Sequence, residues 1–120
     1  MDGAGEFSSS GNRNSSISST TSYEHKETDV SLISIDSLKI SPDYIKYDVE
    51  GAELEALIGS HETIERAHPS LLVSLYHRSR DIFELPLLVN SIKSGYRAYI
   101  RRLNCIPAWE LNLILVPENQ

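Results

Sequence analysis

The 120-residue sequence predicts an α/β fold: parallel strands flanked by helices, with an antiparallel hairpin closing the sheet. Three observations lead there. After Asp29 the hydrophobic patterning runs strand, strand, helix, strand, helix, strand, strand, an alternation that builds parallel sheets. Leu71 to Tyr76 is a near-continuous apolar run, which suits a strand buried on both faces. Tyr96–Leu103 and Trp109–Val116 are strand-like runs joined only by the short Asn104–Ala108 loop, which makes them a hairpin.

The first 29 residues stand apart. Eight of the fifteen residues from Ser8 to Ser22 are serine, with almost nothing to bury against the entropy of ordering them. Residues 1–29 are therefore expected to be disordered or a loose hairpin, and residues 30–117 to form the packed domain. Val30–Ile35 has the branched residues and partial alternation of a strand, and Asp36 is a plausible N-cap for one helical turn through Ile40. Pro42 breaks the chain before a second strand, Tyr44–Val49. From Ala52 the residues Leu54, Leu57, Ile58, His61 and Ile64 fall three or four apart on one helical stripe that Pro69 ends. In that stripe His61 is read as packing. Pro86 fits the first turn of a helix from about Leu85 to Ser94, and Gly95 fits the position just past its end.

Charge and composition exclude several functions. The formal net charge of −6 argues against binding nucleic acid through a broad basic surface. It is unevenly placed: Glu27 to Glu65 holds ten acidic residues against Lys39 and Lys46, and Arg78 to Arg102 holds six basic ones against Asp81 and Glu84. Two solvated faces of opposite sign account for this, with a basic rim for an anionic ligand as the alternative. Cys105 is the only cysteine, so there is no disulfide framework and no cysteine-rich metal site, and with no partner motif nearby it is no catalytic thiol. Asn14-Ser15-Ser16 matches a glycosylation sequon, but no basic and apolar leader precedes it. No apolar run approaches the ~20 residues that cross a bilayer. A cytoplasmic protein with no membrane partner is expected.

In open α/β sheets, ligands bind beyond the carboxyl ends of the strands. Two polar clusters lie at such ends: Asp48-Val49-Glu50-Gly51-Ala52-Glu53, and Tyr76-His77. If the two strands are neighbours, Asp48 and His77 face one crevice, close enough for acid–base chemistry. Glu50 and Glu53 have an alternative use at a helix N-terminus, where the dipole favours carboxylates, and His77 can be a satisfied strand-end histidine. Asp48 is harder to explain structurally, because a carboxylate straight after a buried strand is costly unless solvated or used. Closely spaced acids on a helix start need not converge on one ion, so no metal site is read from the sequence.

The segment Pro42-Asp43-Tyr44-Ile45-Lys46-Tyr47-Asp48-Val49-Glu50-Gly51-Ala52-Glu53 resembles the central signature of the FkbM methyltransferases. The similarity continues through Ile33–Leu38 before it and Ala67-His68-Pro69, Ser74–His77, Asp81–Pro86, Gly95-Tyr96 and Trp109–Leu111 after it. It covers roughly residues 8 to 117, with the serine-rich stretch resembling the family's Gly/Ser segment before its third strand. The resemblance implies a class I, Rossmann-like sheet in the order 3-2-1-4-5-7-6, and methyl transfer from S-adenosylmethionine to a hydroxyl of a sugar, lipid or polyketide-like acceptor. It implies that Asp48 and His77 flank that hydroxyl, and that Glu50 and Glu53 support the site or help bind a cation.

It also implies what this stretch does not carry. The family's first strand ends in a glycine-rich turn that approaches the methionine part of the cofactor, and an acidic residue after the second strand holds the ribose. Gly3-Ala4-Gly5 follows no strand, so cofactor-binding residues are not identified, and 30–117 is expected to be the C-terminal half of the domain without its cofactor-binding strands. Completion by a second chain, or a homodimer through the exposed strand edge, is the corresponding expectation for partners. A non-catalytic interaction module and a metal-dependent hydrolase using Asp48, Glu50, Glu53 and His77 are the competing functions.

Overall fold

A computed structural model describes residues 3–8, 16–18, 28–102 and 110–118, with side chains from residue 29 onward. Among the described residues, seven strands and three α-helices follow one another, with a short 3-10 turn at Asp36–Leu38 between β3 and β4: β1 (Gly3–Ser8), β2 (Ser16–Ser18), β3 (Thr28–Leu32), β4 (Tyr44–Tyr47), α1 (Glu53–Ile58), α2 (His61–Ala67), β5 (Ser70–Ser74), α3 (Asp81–Ile92), β6 (Tyr96–Arg102) and β7 (Leu111–Pro117). The strands form two sheets, β2-β1-β3 and β4-β5-β7-β6.

The second sheet organises the domain. β4 and β5 are parallel, as a strand–helix–strand crossover requires, with Tyr47 opposite Val73. β7 runs antiparallel to β5 and pairs with β6 from Arg102↔Leu111 to Tyr96↔Pro117, which is the expected closing hairpin. The order 4-5-7-6 matches one side of the expected sheet. One face carries the core: Tyr47, Leu71, Val73, Leu113 and Leu115 from the strands, with Leu75 just past β5, meet Leu57, Ile64, Leu85, Val89 and Ile92 from the three helices. Successive strand residues point to opposite faces, so Leu72 and Ile114 lie on the other side, where they are half-buried. β5 is thus fully covered on its helix side only.

The structure departs from the sequence-based expectation at several places, among them β4, which ends at Tyr47 and not at Val49. The first strand of the packed domain ends at Leu32, and it pairs with β1 rather than lying in the larger sheet. The expected Val30–Ile35 strand stops because Ser34 and Ser37 close a turn. Ser37 donates its amide to Ser34 Oγ at 3.2 Å and its hydroxyl to the Ser34 carbonyl at 2.7 Å, local bonds that compete with a ladder. The division between residues 29 and 30 accordingly falls inside β3.

The helix expected from Ala52 to Pro69 is two helices broken at Gly59-Ser60. Gly59 lies against Ser34, where an added Cβ would come within 3.3 Å of Ser34 Cβ. The Asp36 amide takes the Gly59 carbonyl at 3.0 Å. Asp36 does not cap its own turn, whose N-cap is Ile35. Its carboxylate instead accepts from the amides of Glu62 (3.1 Å) and Thr63 (2.8 Å), capping α2 from 26 residues away. The break rotates the stripe, so that Ile64 is buried while Ile58 is 50% exposed and His61 lies on the surface rather than in the packing.

α3 begins at Asp81, four residues before the expected start, which puts Pro86 in the interior of the helix. Its first turn is anchored on the Arg78 and Arg80 carbonyls, which accept from Asp81, Phe83 and Glu84. Gly95 lies beyond an extended Lys93 and adopts φ +87. No described helix is long and apolar enough to cross a membrane. Asn14, Cys105 and the Asn104–Ala108 loop lie outside the described residues.

Candidate active site

Because β4 and β5 are parallel neighbours, the segments leaving their carboxyl ends share one crevice. Asp48 leaves β4 as an exposed residue. Its Oδ1 accepts two hydrogen bonds from the neighbouring strand's end, from Ser74 Oγ and from Tyr76 Oη, each 3.1 Å. Ser74 and Tyr76 are two residues apart and so project to the same side. Burial, together with the hydrogen bond and charge of Asp48, pushes the Tyr76 phenol up to about 12, so it stays a donor at neutral pH. Oδ2 of Asp48 makes no hydrogen bond among the described residues.

His77 is fixed from two directions. Its Nδ1 lies 2.8 Å from Glu53 Oε1, and its Nε2 lies 3.2 Å from Glu50 Oε2. Both contacts are short, yet neither has the in-line geometry of a hydrogen bond, and both ring nitrogens are buried. The backbone explains how Glu50 reaches the ring. Glu50 has φ 54 and Gly51 φ +100, two successive left-handed residues that turn the chain sharply between β4 and α1. Such a conformation costs a non-glycine residue about 1–2 kcal/mol. A Cβ on Gly51 would be 3.8 Å from both His77 Cβ and Arg78 Nε, so the turn packs directly on the segment after β5.

Glu53 opens α1 yet is fully buried. Its Oε1 accepts the Val49 amide at 3.1 Å, closing the turn, and Oε2 has no partner among the described residues. Asp81, which opens α3, is equally buried with Oδ2 unpartnered. Burial, and then the Glu53 charge, raise the Asp81 carboxyl above the usual range. Arg78 pairs with Glu55 at 3.7 Å. Asp48, Glu50 and His77 each offer one ligand atom, all within 4.8 Å of one another.

All four residues singled out in the sequence, Asp48, Glu50, Glu53 and His77, therefore meet at one place. Glu53 stands behind His77 rather than in the crevice. Ser74 and Asp81 were not expected there. The period of two along β5 points to Ser74 once Tyr76 is placed, whereas no sequence pattern marks Asp81 as buried.

Gly3 and Gly5 lie within β1, paired with Leu32 and Val30, and make no turn. Gly51, at the turn from β4 to α1, faces His77 and Arg78.

The FkbM methyltransferase domain model matches residues 2–99. Among solved structures the chain is similar to the methyltransferase FkbM of Methylobacillus flagellatus KT, with 32% sequence identity and a TM-score of 0.68. That match covers 73% of this chain and 24% of the other, so the chain spans about a quarter of its relative's length. No curated protein matches the sequence. With the domain model covering most of its length, and with the strand order and strand-end cluster in place, the chain belongs to the FkbM methyltransferase family.

Proposed function

We propose that this chain forms the acceptor side of an S-adenosylmethionine-dependent O-methyltransferase acting on a hydroxyl of a sugar, lipid or polyketide-like molecule. The observation that carries the proposal is Asp48, whose Oδ1 is held by Ser74 and Tyr76 while Oδ2 makes no such bond, in a carboxylate that comes within 4.8 Å of His77. An acceptor hydroxyl between Asp48 and His77 gives its proton to the free Asp48 oxygen, and the electron pair stays on the acceptor oxygen. His77, held between Glu53 at Nδ1 and Glu50 at Nε2, orients the acceptor from the other side. S-adenosylmethionine supplies the methyl group; no residue of this chain is assigned to it. In this reading a second chain, or a second copy pairing along the edge of β4 that no described strand covers, supplies the cofactor side.

The test is methyl transfer from labelled S-adenosylmethionine to a panel of alcohols in the complete enzyme carrying this segment. Labelled ethers are the expected product. Label on nitrogen or carbon acceptors alone would refute the oxygen specificity.

A further inference from the structure

The basic residues between Arg78 and Arg102 take no part in the proton transfer at Asp48, and the strand register shows where one of them stands. β6 runs antiparallel to β7, and β7 antiparallel to β5, so β6 is parallel to β5 and ends at the same edge of the sheet as the strand-end cluster. Ser74 pairs with Asn112, and Asn112 with Arg101, which sets the three in one row across the sheet. Directly paired residues share a face. Because Val73 and Leu113 point into the core, this row lies on the face away from the helices, where Ser74 holds Asp48 at 3.1 Å. Arg102, one residue on, points to the opposite face.

Two groups in the row have no partner within the fold. Arg78, Arg80 and Arg97 each pair with a glutamate, at 3.7, 3.5 and 3.6 Å. Arg101 is exposed and makes no ion pair among the described residues, Glu110 on the neighbouring strand included. Between it and Ser74 lies Asn112, only 8% exposed, whose side-chain amide makes no hydrogen bond among the described residues. A buried amide is costly until a partner reaches it. Lys46 shares the face, two residues before Asp48 on β4. Its charge stands next to the carboxylate, and a compact ammonium fits an oxyanion less well than the guanidinium fork does.

We propose that Arg101, together with the Asn112 amide, binds an anionic group of the acceptor, a carboxylate or a phosphate, and so selects an anionic hydroxyl compound as substrate. The substrate class rests on the acceptor-side function proposed above. With the acceptor hydroxyl at Asp48, the body of the molecule runs along the row over Asn112. Three strand spacings of about 4.8 Å lie between β4 and β6, and the inward reach of the arginine leaves roughly 10 Å between hydroxyl and anion. The guanidinium donates to two oxygens of the anion and Asn112 to the same group. A neutral acceptor leaves both donors unanswered, which is how the row discriminates.

The test is nuclear magnetic resonance titration of the full chain with two matched pairs of probes, maltose 1-phosphate against maltose and lactobionate against lactitol. At least one anionic member is expected to bind ~10-fold or more tighter than its neutral partner, as a charge-assisted bond gives, with the Asn112 side-chain amide among the resonances that shift. Which pair shows the preference names the anion. Arg101→Gln should remove the preference and leave binding of the neutral partner unchanged, and Arg101→Lys should restore part of it. Arg101 is exposed, so both variants are expected to keep the parent's unfolding midpoint. Equal binding of anionic and neutral members, no binding of any probe up to ~20 mM, or a preference that survives Arg101→Gln, as it would if Lys46 held the anion, overturns the assignment. Methyl transfer in the complete enzyme separates the two readings. Equal kcat/KM for anionic and neutral alcohols refutes the role of Arg101 alone, whereas the absence of transfer to any oxygen refutes the acceptor-side function.

Discussion

Replacing Asp36 by alanine is expected to loosen the junction between α1 and α2. The carboxylate accepts the Glu62 and Thr63 amides, two of the donors that the first turn of α2 leaves without helical partners. Losing such a cap costs about 0.5–2 kcal/mol, and two bonds at about 1 kcal/mol each put this case at the upper end. With an m-value of about 2 kcal/mol/M, the urea midpoint should fall by about 1 M. The effect has a pH signature. Burial pushes the Asp36 carboxyl up, but hydrogen bonds from Thr63 and the Glu62 amide, with the His61 charge, outweigh it and hold the pKa below the ordinary carboxylate value. A depressed folded-state pKa means stability that is present above about pH 4 and lost as pH falls through the folded value. Urea unfolding at pH 7 and pH 3 should therefore separate the parent from Asp36→Ala more at the first pH than at the second. An unchanged midpoint at pH 7 would show that α2 starts without this cap.

Three further outcomes follow from the packing. Asp81 has its pKa raised by burial and then by Glu53, so its contribution to stability declines as pH rises through the folded value; Asp81→Asn should flatten that slope in unfolding measured from pH 4 to 8. β4 pairs only with β5, and among the described residues no strand lies on its other side, so hydrogen exchange should be fast for β4 amides facing away from β5 and slow for β5 itself; protection on both sides of β4 in the monomer would contradict the strand order. Titration calorimetry with S-adenosylhomocysteine should show no low-micromolar binding to this chain alone, because Gly3 and Gly5 lie paired within β1 and not in a turn after a strand; a tight isotherm would contradict that reading.

The parts of the fold legible in the sequence are those fixed by local pattern. β4, β5 and the β6–β7 hairpin each announce themselves by apolar runs and short connections, and parallel pairing then places Asp48 and His77 together. What escaped prediction depends on distant partners. The apolar stripe runs unbroken across Gly59, and only Ser34 and Asp36, more than twenty residues earlier in the chain, show why the helix breaks there. Asp81 at a helix start looks like an ordinary dipole partner in water, yet it is buried, within reach of the charge of Glu53 on α1. Glu50 likewise gives no sign in sequence of its left-handed backbone, although the glycine after it marks the turn. The site was thus legible as a set of residues, but not as two layers with Glu53 behind His77.

The most direct test of the central claim is turnover of Asp48→Asn in the complete enzyme carrying this segment. The amide keeps an oxygen for the Ser74 and Tyr76 hydroxyls but cannot take the acceptor's proton. Methyl transfer is expected to fall by ~10²-fold or more with the fold intact, and His77→Ala to fall comparably. Turnover unchanged in both variants, with native circular dichroism and unfolding midpoints, would reduce the strand-end cluster to a structural role and contradict the account.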